Sequence, residues 1–190
     1  MIISVIPAQS TSRRLPGKNM KEMLGRPLLD YTIEYAKKCP LIAEIYVSTD
    51  SKEIAEYASK KFGVQAVLRS QEFCGEVIIA DVLRHCLSQI PYADKISRVV
   101  ALQVDHPDRT VNLTDFLQKA IEHDIADAIT IDPNGIRNGS IRILRTKDLL
   151  EKRISYSMMA VLDKCTNIHI QSDFDKAKKN LKQCSLDYSE

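Results

Sequence analysis

The chain has no tryptophan, and only six of its 190 residues are glycine, far too few for a collagen-like repeat. It has no apolar run of membrane-spanning length. Residues 1–6 are apolar, but polar residues follow too soon for a span or a signal peptide, which predicts a cytoplasmic protein with no membrane partner. The five cysteines (Cys39, Cys74, Cys86, Cys165 and Cys184) form no C-x-x-C pair, and their odd number suits reduced thiols. Charge of one sign is lacking too. Lys plus Arg number 27 against 25 Asp plus Glu, a net charge of +2, which excludes nucleic-acid binding driven by bulk charge. No internal repeat, low-complexity segment or linker divides the sequence.

What is present is an ordinary globular balance, 44% hydrophobic and 27% charged residues, which excludes disorder and coiled coil. A chain of this length can bury about 70% of its unfolded surface, so residues 1–190 are expected to form a single domain needing no metal or disulfide staple. The charge is unevenly placed. Residues 1–40 hold seven cations against three carboxylates, a local surplus of four.

Short Ile- and Val-rich runs at 2–6, 44–47, 64–68, 98–102 and 126–131 predict strands. Between them, 27–38, 51–62, 77–90 and 111–122 carry apolar residues at helical spacing. Asp50-Ser51 stands where a helix N-cap is expected and Gly63 where a C-cap is expected. This alternation predicts an α/β fold with a mainly parallel sheet covered on both faces. Ligands then bind beyond the carboxyl ends of the strands, which directs attention to the loops after Ile6 and Leu102. After Ile131 the rhythm changes. Asp132-Pro133-Asn134-Gly135 signals a turn, 140–144 reads as a strand, and 173–182 as a final helix.

The first of those loops, residues 7–19, is too long and too basic for a plain βα turn. Ser10, Thr11 and Ser12 let backbone approach a ligand and add donors, while Arg13, Arg14 and Lys18 add charge. Backbone N–H groups in such a loop can cradle phosphate. The Walker A spacing is absent. On generic chemistry alone, a solvated basic loop is an equal reading.

The ordered string decides between them. Ile6-Pro7-Ala8 through Pro16-Gly17-Lys18-Asn19, then Leu24-Gly25-Arg26-Pro27-Leu28, resembles the opening signature of the acylneuraminate cytidylyltransferases, which activate acidic sugars as CMP conjugates. Val47-Ser48-Thr49-Asp50, Leu68-Arg69, Leu102-Gln103 with Pro107 and Arg109-Thr110, Asn138-Gly139-Ser140-Ile141, and Asp173-Phe174 continue the similarity in order. The resemblance implies a three-layer, mainly parallel doubly wound sheet of the nucleotide-diphospho-sugar transferase type. It implies transfer of CMP from CTP to an acidic sugar, sialic-acid-like or ketodeoxyoctonate-like, with release of pyrophosphate. The alternative is a catalytically weakened nucleotide-binding or regulatory relative.

The implied roles follow the matched positions. Lys18, Arg13 and Asp105 would carry catalysis. Ala8, Gln9, Ser10, Thr11, Ser12, Asn19, Arg69 and Gln103 would bind nucleotide, and Arg109, Asn138 and Gly139 the sugar. Lysine is a point charge suited to polyphosphate. The stretch 103–109 also resembles the Q-G-D-E-P loop of CMP-ketodeoxyoctonate synthetases, whose aspartate binds magnesium. Asp105 is therefore the expected Mg²⁺ ligand, against a plain loop-capping role, with His169 as a further metal candidate.

Three positions depart from the family's pattern. Gln9 stands where a phosphate-binding arginine is usual and supplies no charge, unless Arg13 or Arg14 reaches in. Asn167 and His169 stand where two metal-binding aspartates are expected. Only six residues, 132–137, separate the fifth strand from the Asn138-Gly139 strand, so the family's dimerisation arm, and with it the arm-exchanged dimer, is not expected. His85 and His123 read as surface side chains, the lysines at 176, 178, 179 and 182 as a solvated helix face, and Met158-Met159 as core. No nucleophile elbow is present.

Overall fold

Period-two alternation in the first strand sends its side chains into two different cores. The computed structural model describes residues 1–75, 77–153 and 157–186, the side chains of the last three excepted; Cys184 falls among these. In β1 (Ile2–Pro7), Ile3 and Val5 enter one core and Ile6 the other. β6 (Arg98–Leu102) repeats the division, Val99 and Ala101 against Val100 and Leu102. A strand buried on both faces must be apolar at nearly every position, and both are.

Seven strands form the main sheet. β4 (Glu44–Thr49) and β5 (Gln65–Leu68) flank β1 on one side, parallel to it, and β6 lies parallel on the other. β8 (Arg137–Arg145) then runs antiparallel between β6 and β7 (Asp127–Ile131), and β9 (Met158–Leu162) closes the edge parallel to β7. The order is β5-β4-β1-β6-β8-β7-β9. A two-stranded ribbon, β2 (Glu22–Met23) with β3 (Arg26–Pro27), precedes the first helix.

One face is covered by α1 (Leu28–Lys37), α2 (Lys52–Phe62), α4 (Leu113–Glu122) and α6 (Gln171–Leu186), through Leu29, Ile33, Ala58, Leu117 and Phe174 among others. The other face is covered by α3 (Ile79–Ser88) and α5 (Thr146–Leu150), through Leu83, Leu87 and Leu149. Each fully buried Leu or Ile contributes about 1.5–3 kcal/mol. The three-layer, doubly wound α/β fold expected from the sequence is the fold observed.

The punctuation also matches. The Ser51 hydroxyl accepts from Ile54 N at 3.2 Å and caps α2, and Gly63 ends that helix at φ +66°. Asp132 Oδ1 accepts from the amides of Asn134 and Ile136, closing the 132–136 turn so that β7 passes straight into β8. α5, β9 and the β2–β3 ribbon lack a clear sequence signal. The expectation that Met158-Met159 is core is half corrected. β9 is an edge strand, so Met158 is 55% exposed while its neighbour Met159 packs against the main core. His123 is exposed as expected. His85 is half-buried, its ring 4.4 Å from that of Phe73, which corrects its reading as a surface side chain. The thiols of Cys39, Cys74, Cys86 and Cys165 are free. No helix among the described residues is long and apolar enough to cross a membrane.

Candidate active site

β1 and β6 lie side by side, and the chain leaves β1 toward β4 and β6 toward β7, in opposite directions along the strand order. This is the switch point at which doubly wound sheets bind ligands. A cavity of about 640 Å³ opens there, beyond the carboxyl ends of β1 and β6. Among the described residues, four cationic side chains line it, Arg13, Arg14, Lys18 and Arg69, with the carboxylate of Asp105. That balance suits a polyanion.

The first loop is held in shape by its own polar atoms. Ser10 donates from its backbone N and its hydroxyl to the two carboxylate oxygens of Asp50, at 2.6 and 2.9 Å. Asn19 Nδ2 donates to the Gln9 carbonyl at 2.7 Å. Gly17, at φ +63°, turns the chain into a short helical turn that brings Lys18 inward. Thr11, Ser12, Arg13 and Asn19 all line the cavity. Ala8 does not. Its side chain is fully buried in the core, and its N–H donates to Ser48.

Gln9 lines the cavity but is already engaged. Its Oε1 accepts from Gly75 N at 2.8 Å and its Nε2 donates to Gly75 O at 3.3 Å. Arg69 comes from the end of β5 and is 8% exposed. One Nη donates to the Phe73 carbonyl at 3.1 Å, while Nε and the other Nη are buried without a hydrogen-bond partner. An unpaired buried guanidinium edge is costly and is satisfied when a ligand supplies oxygen atoms.

On the β6 side, Asp105 meets Lys18 at 2.7 Å, and the Lys18 ammonium also donates to the Ile168 carbonyl at 2.9 Å. The buried His106 places Nδ1 3.2 Å from the second Asp105 oxygen, off the hydrogen-bond direction. Burial alone would raise the Asp105 pKa. The His106 ring and the Lys18 ammonium outweigh it and hold the carboxyl well below the usual carboxylate range. Gln103 also lines the cavity, and it packs so tightly over Gly139 that a Cβ there would lie 2.9 Å from its Nε2. Gly139 thus supports a lining residue without lining the cavity itself.

The remaining expected residues divide. His169 lines the cavity with Nδ1 buried and unpartnered; burial and the Arg14 charge lower its pKa, favouring the neutral ring. Asn167 lies off the cavity wall, its amide donating to the Asn138 carbonyl at 3.4 Å. Among the described residues no three His, Cys, Asp or Glu side chains converge as a metal site. Arg109 and Asn138, expected at the sugar, serve the scaffold. Arg109 donates to the carbonyls of Gln103, His106 and Ser140, and lies over the Tyr35 ring. Asn138 Oδ1 accepts from Thr130 Oγ1 at 2.6 Å and Ser140 N at 3.0 Å.

Three further contributors are not among the expected site residues. Gly75, Val77 and Ile79, before and at the start of α3, form one wall. Asp50 anchors the first loop. Asp163, fully buried, accepts from Thr110 N, Thr110 Oγ1 and Ser140 Oγ and ties the segment before α6 to the sheet.

Comparison with known proteins bears on the family and the fold. The CMP-N,N'-diacetyllegionaminic acid synthase of Legionella pneumophila is 45% identical over 71 residues, 37% of this chain and 31% of that protein. The 3-deoxy-manno-octulosonate cytidylyltransferase of Christiangramia forsetii is 28% identical over 156 residues, 77% of this chain and 60% of the relative. The chain thus covers less than two thirds of the length of these curated relatives. A solved CMP:2-keto-3-deoxy-manno-octonic acid synthetase complexed with CTP shares the fold, with a TM-score of 0.77 at 17% identity, covering 96% of this chain and 98% of that one. The family model described as cytidylyltransferase matches residues 3–119, which hold the basic loop, Arg69 and Asp105, and the chain belongs to the cytidylyltransferase family.

Proposed function

We propose that the protein transfers CMP from CTP to an acidic sugar, releasing pyrophosphate. The observation that carries this reading is the convergence of the basic first loop and Asp105 in one cavity at the β1/β6 switch point. The names of the relatives support the substrate class, since those proteins are synthases of CMP-sugar acids or cytidylyltransferases.

In this reading a sugar hydroxyl oxygen bonds to the α-phosphorus of CTP, and the bond to the β-phosphate oxygen breaks. Negative charge grows on the departing pyrophosphate. Lys18, Arg13 and Arg14, all lining the cavity from one loop, would meet that charge with cations. Arg69 offers its unpaired N–H groups to ligand oxygens from the β5 side.

The residues fit a magnesium ion carried with the nucleotide. Asp105 is ionised, and the Lys18 ammonium stands as a cation on one Asp105 oxygen and the Ile168 carbonyl. Both are hard oxygen donors of the kind Mg²⁺ takes. When bound, Mg²⁺ would polarise the phosphate oxygens. His169, also on the cavity wall, would suit a softer ion than Mg²⁺.

A second reading, a relative that binds nucleotide without turnover, is favoured by Gln9 being tied to Gly75 and by Asn167 lying off the wall. Pyrophosphate release measured across four nucleoside triphosphates and a panel of acidic sugars separates the two. CTP-dependent release with at least one sugar acid is expected; CTP binding without release with any of them identifies the second reading.

A further inference from the structure

Lys18 has two possible employers, and the structure places it with only one of them. Its ammonium lies 2.7 Å from Asp105 Oδ2 and 2.9 Å from the Ile168 carbonyl, and it is largely enclosed, with 13% of its side chain exposed. Both partners are oxygens, one anionic. They form a niche for a hard cation, and the cation now in it belongs to the chain itself. The niche is rigidly made, because Ile168 N donates back to the Asp105 carbonyl at 2.9 Å, fixing the two donors relative to one another.

A single carboxylate cannot serve two cations at full strength. Opposite charges this close attract strongly even at a protein's effective dielectric, and a second cation brought to the same oxygens meets the first as a like charge. Mg²⁺ also dehydrates reluctantly and needs uncompensated negative charge to do so. With Lys18 in the niche that charge is compensated. The phosphates of a nucleotide offer Lys18 a stronger anionic partner inside the same cavity.

We propose that Lys18 is an exchangeable internal counter-cation: it occupies the Asp105–Ile168 niche while the cavity lacks nucleotide, blocks divalent cations from it, and vacates it when phosphates enter. The divalent ion is therefore admitted with the nucleotide and not before it. This deepens the cytidylyltransferase reading and rests on it for the identity of the phosphates, but not for the blocking of the niche.

Mn²⁺ binding followed by electron paramagnetic resonance of the free ion tests the blocking without reference to turnover. Nucleotide-free wild type is expected to bind Mn²⁺ at least about tenfold more weakly than Lys18→Met, which keeps the length of the side chain and removes its charge. Adding Asp105→Asn to Lys18→Met is expected to abolish the gain. Equal Mn²⁺ affinity in folded wild type and Lys18→Met, or a gain that survives Asp105→Asn, overturns the proposal. If Lys18→Met does not fold, nitrogen-15 NMR of the Lys18 ammonium in the wild type decides. The signal should be unmoved by millimolar Mg²⁺ alone and should shift when Mg²⁺ and CTP are added together. A shift with Mg²⁺ alone overturns the blocking. A cavity that ignores CTP while Lys18→Met still gains Mn²⁺ leaves the blocking standing and rejects the nucleotide reading.

Discussion

Gln9 and Gly75 face each other on the cavity wall and exchange two hydrogen bonds, amide to backbone and backbone to amide, across 66 positions of sequence. A side chain at a position where the family usually carries a phosphate-binding arginine thereby ties the first loop to the segment preceding α3. Gln9→Ala should loosen that segment and weaken CTP binding indirectly, by about 1 kcal/mol, the net value of a typical hydrogen bond. Hydrogen exchange at the Gly75 amide should accelerate in parallel. Faster exchange with unaltered affinity would show that the tie does not shape the nucleotide site.

Removing the lysine of the first loop acts directly on the ligand. Lys18→Ala should weaken CTP binding by about 1.5–3 kcal/mol, the range for a hydrogen bond to a charged group. Calorimetric titration measures it, with circular dichroism as the control on folding. Unchanged affinity would sink the assignment of this loop to phosphate.

Asp105 should make stability depend on acid. Its folded pKa is depressed, so its contribution is fully present above the unfolded value of about 4 and disappears as pH falls through the folded value. The difference in melting temperature between wild type and Asp105→Asn should thus be largest near neutrality and shrink below about pH 4. A gap independent of pH would mean that the carboxylate charge is not what Lys18 and His106 stabilise. At neutral pH, Asp105→Asn should also lower turnover more than CTP affinity.

The two positions where the family carries aspartates should respond differently. His169 lines the cavity, so His169→Asp should tighten Mg²⁺ binding in the presence of CTP by adding a second carboxylate to the wall. Asn167 does not line it, and its Oδ1 is buried without a partner. Asn167→Asp should instead lower stability by about 1–3 kcal/mol, the cost of an unsatisfied buried polar group, with metal affinity unmoved. The reverse pattern would place Asn167, not His169, at the metal.

Arg109 should behave as scaffold. Its guanidinium gathers three carbonyls, those of Gln103, His106 and Ser140, from two segments, and Arg109→Ala orphans them. A loss of about 3 kcal/mol in stability is expected from denaturant unfolding. CTP affinity measured well below the melting temperature should change little, and a selective loss of sugar affinity in a stable variant would falsify the structural role.

The sequence by itself determined most of the strands and helices, because those depend on period and local capping. Ile3, Val5 and Ile6 alternate, Ser51 caps, Gly63 terminates, and the turn after Ile131 is written in Asp132 and Gly135. It also located the basic loop and Asp105, since ordered motifs survive without any knowledge of contacts. It did not determine what polar side chains do. Arg109 and Asn138 look like ligand donors in a motif, but the folded backbone surrounds them with carbonyls and hydroxyls that claim their hydrogen bonds. Met158 is apolar yet exposed, because only the tertiary fold makes β9 an edge. The pairing of Lys18 with Asp105 spans 87 residues and exists because β1 and β6 are neighbours in the sheet. Local propensity carries no information about which distant backbone will arrive beside a charge, and at this site that arrival decides which cation the carboxylate holds.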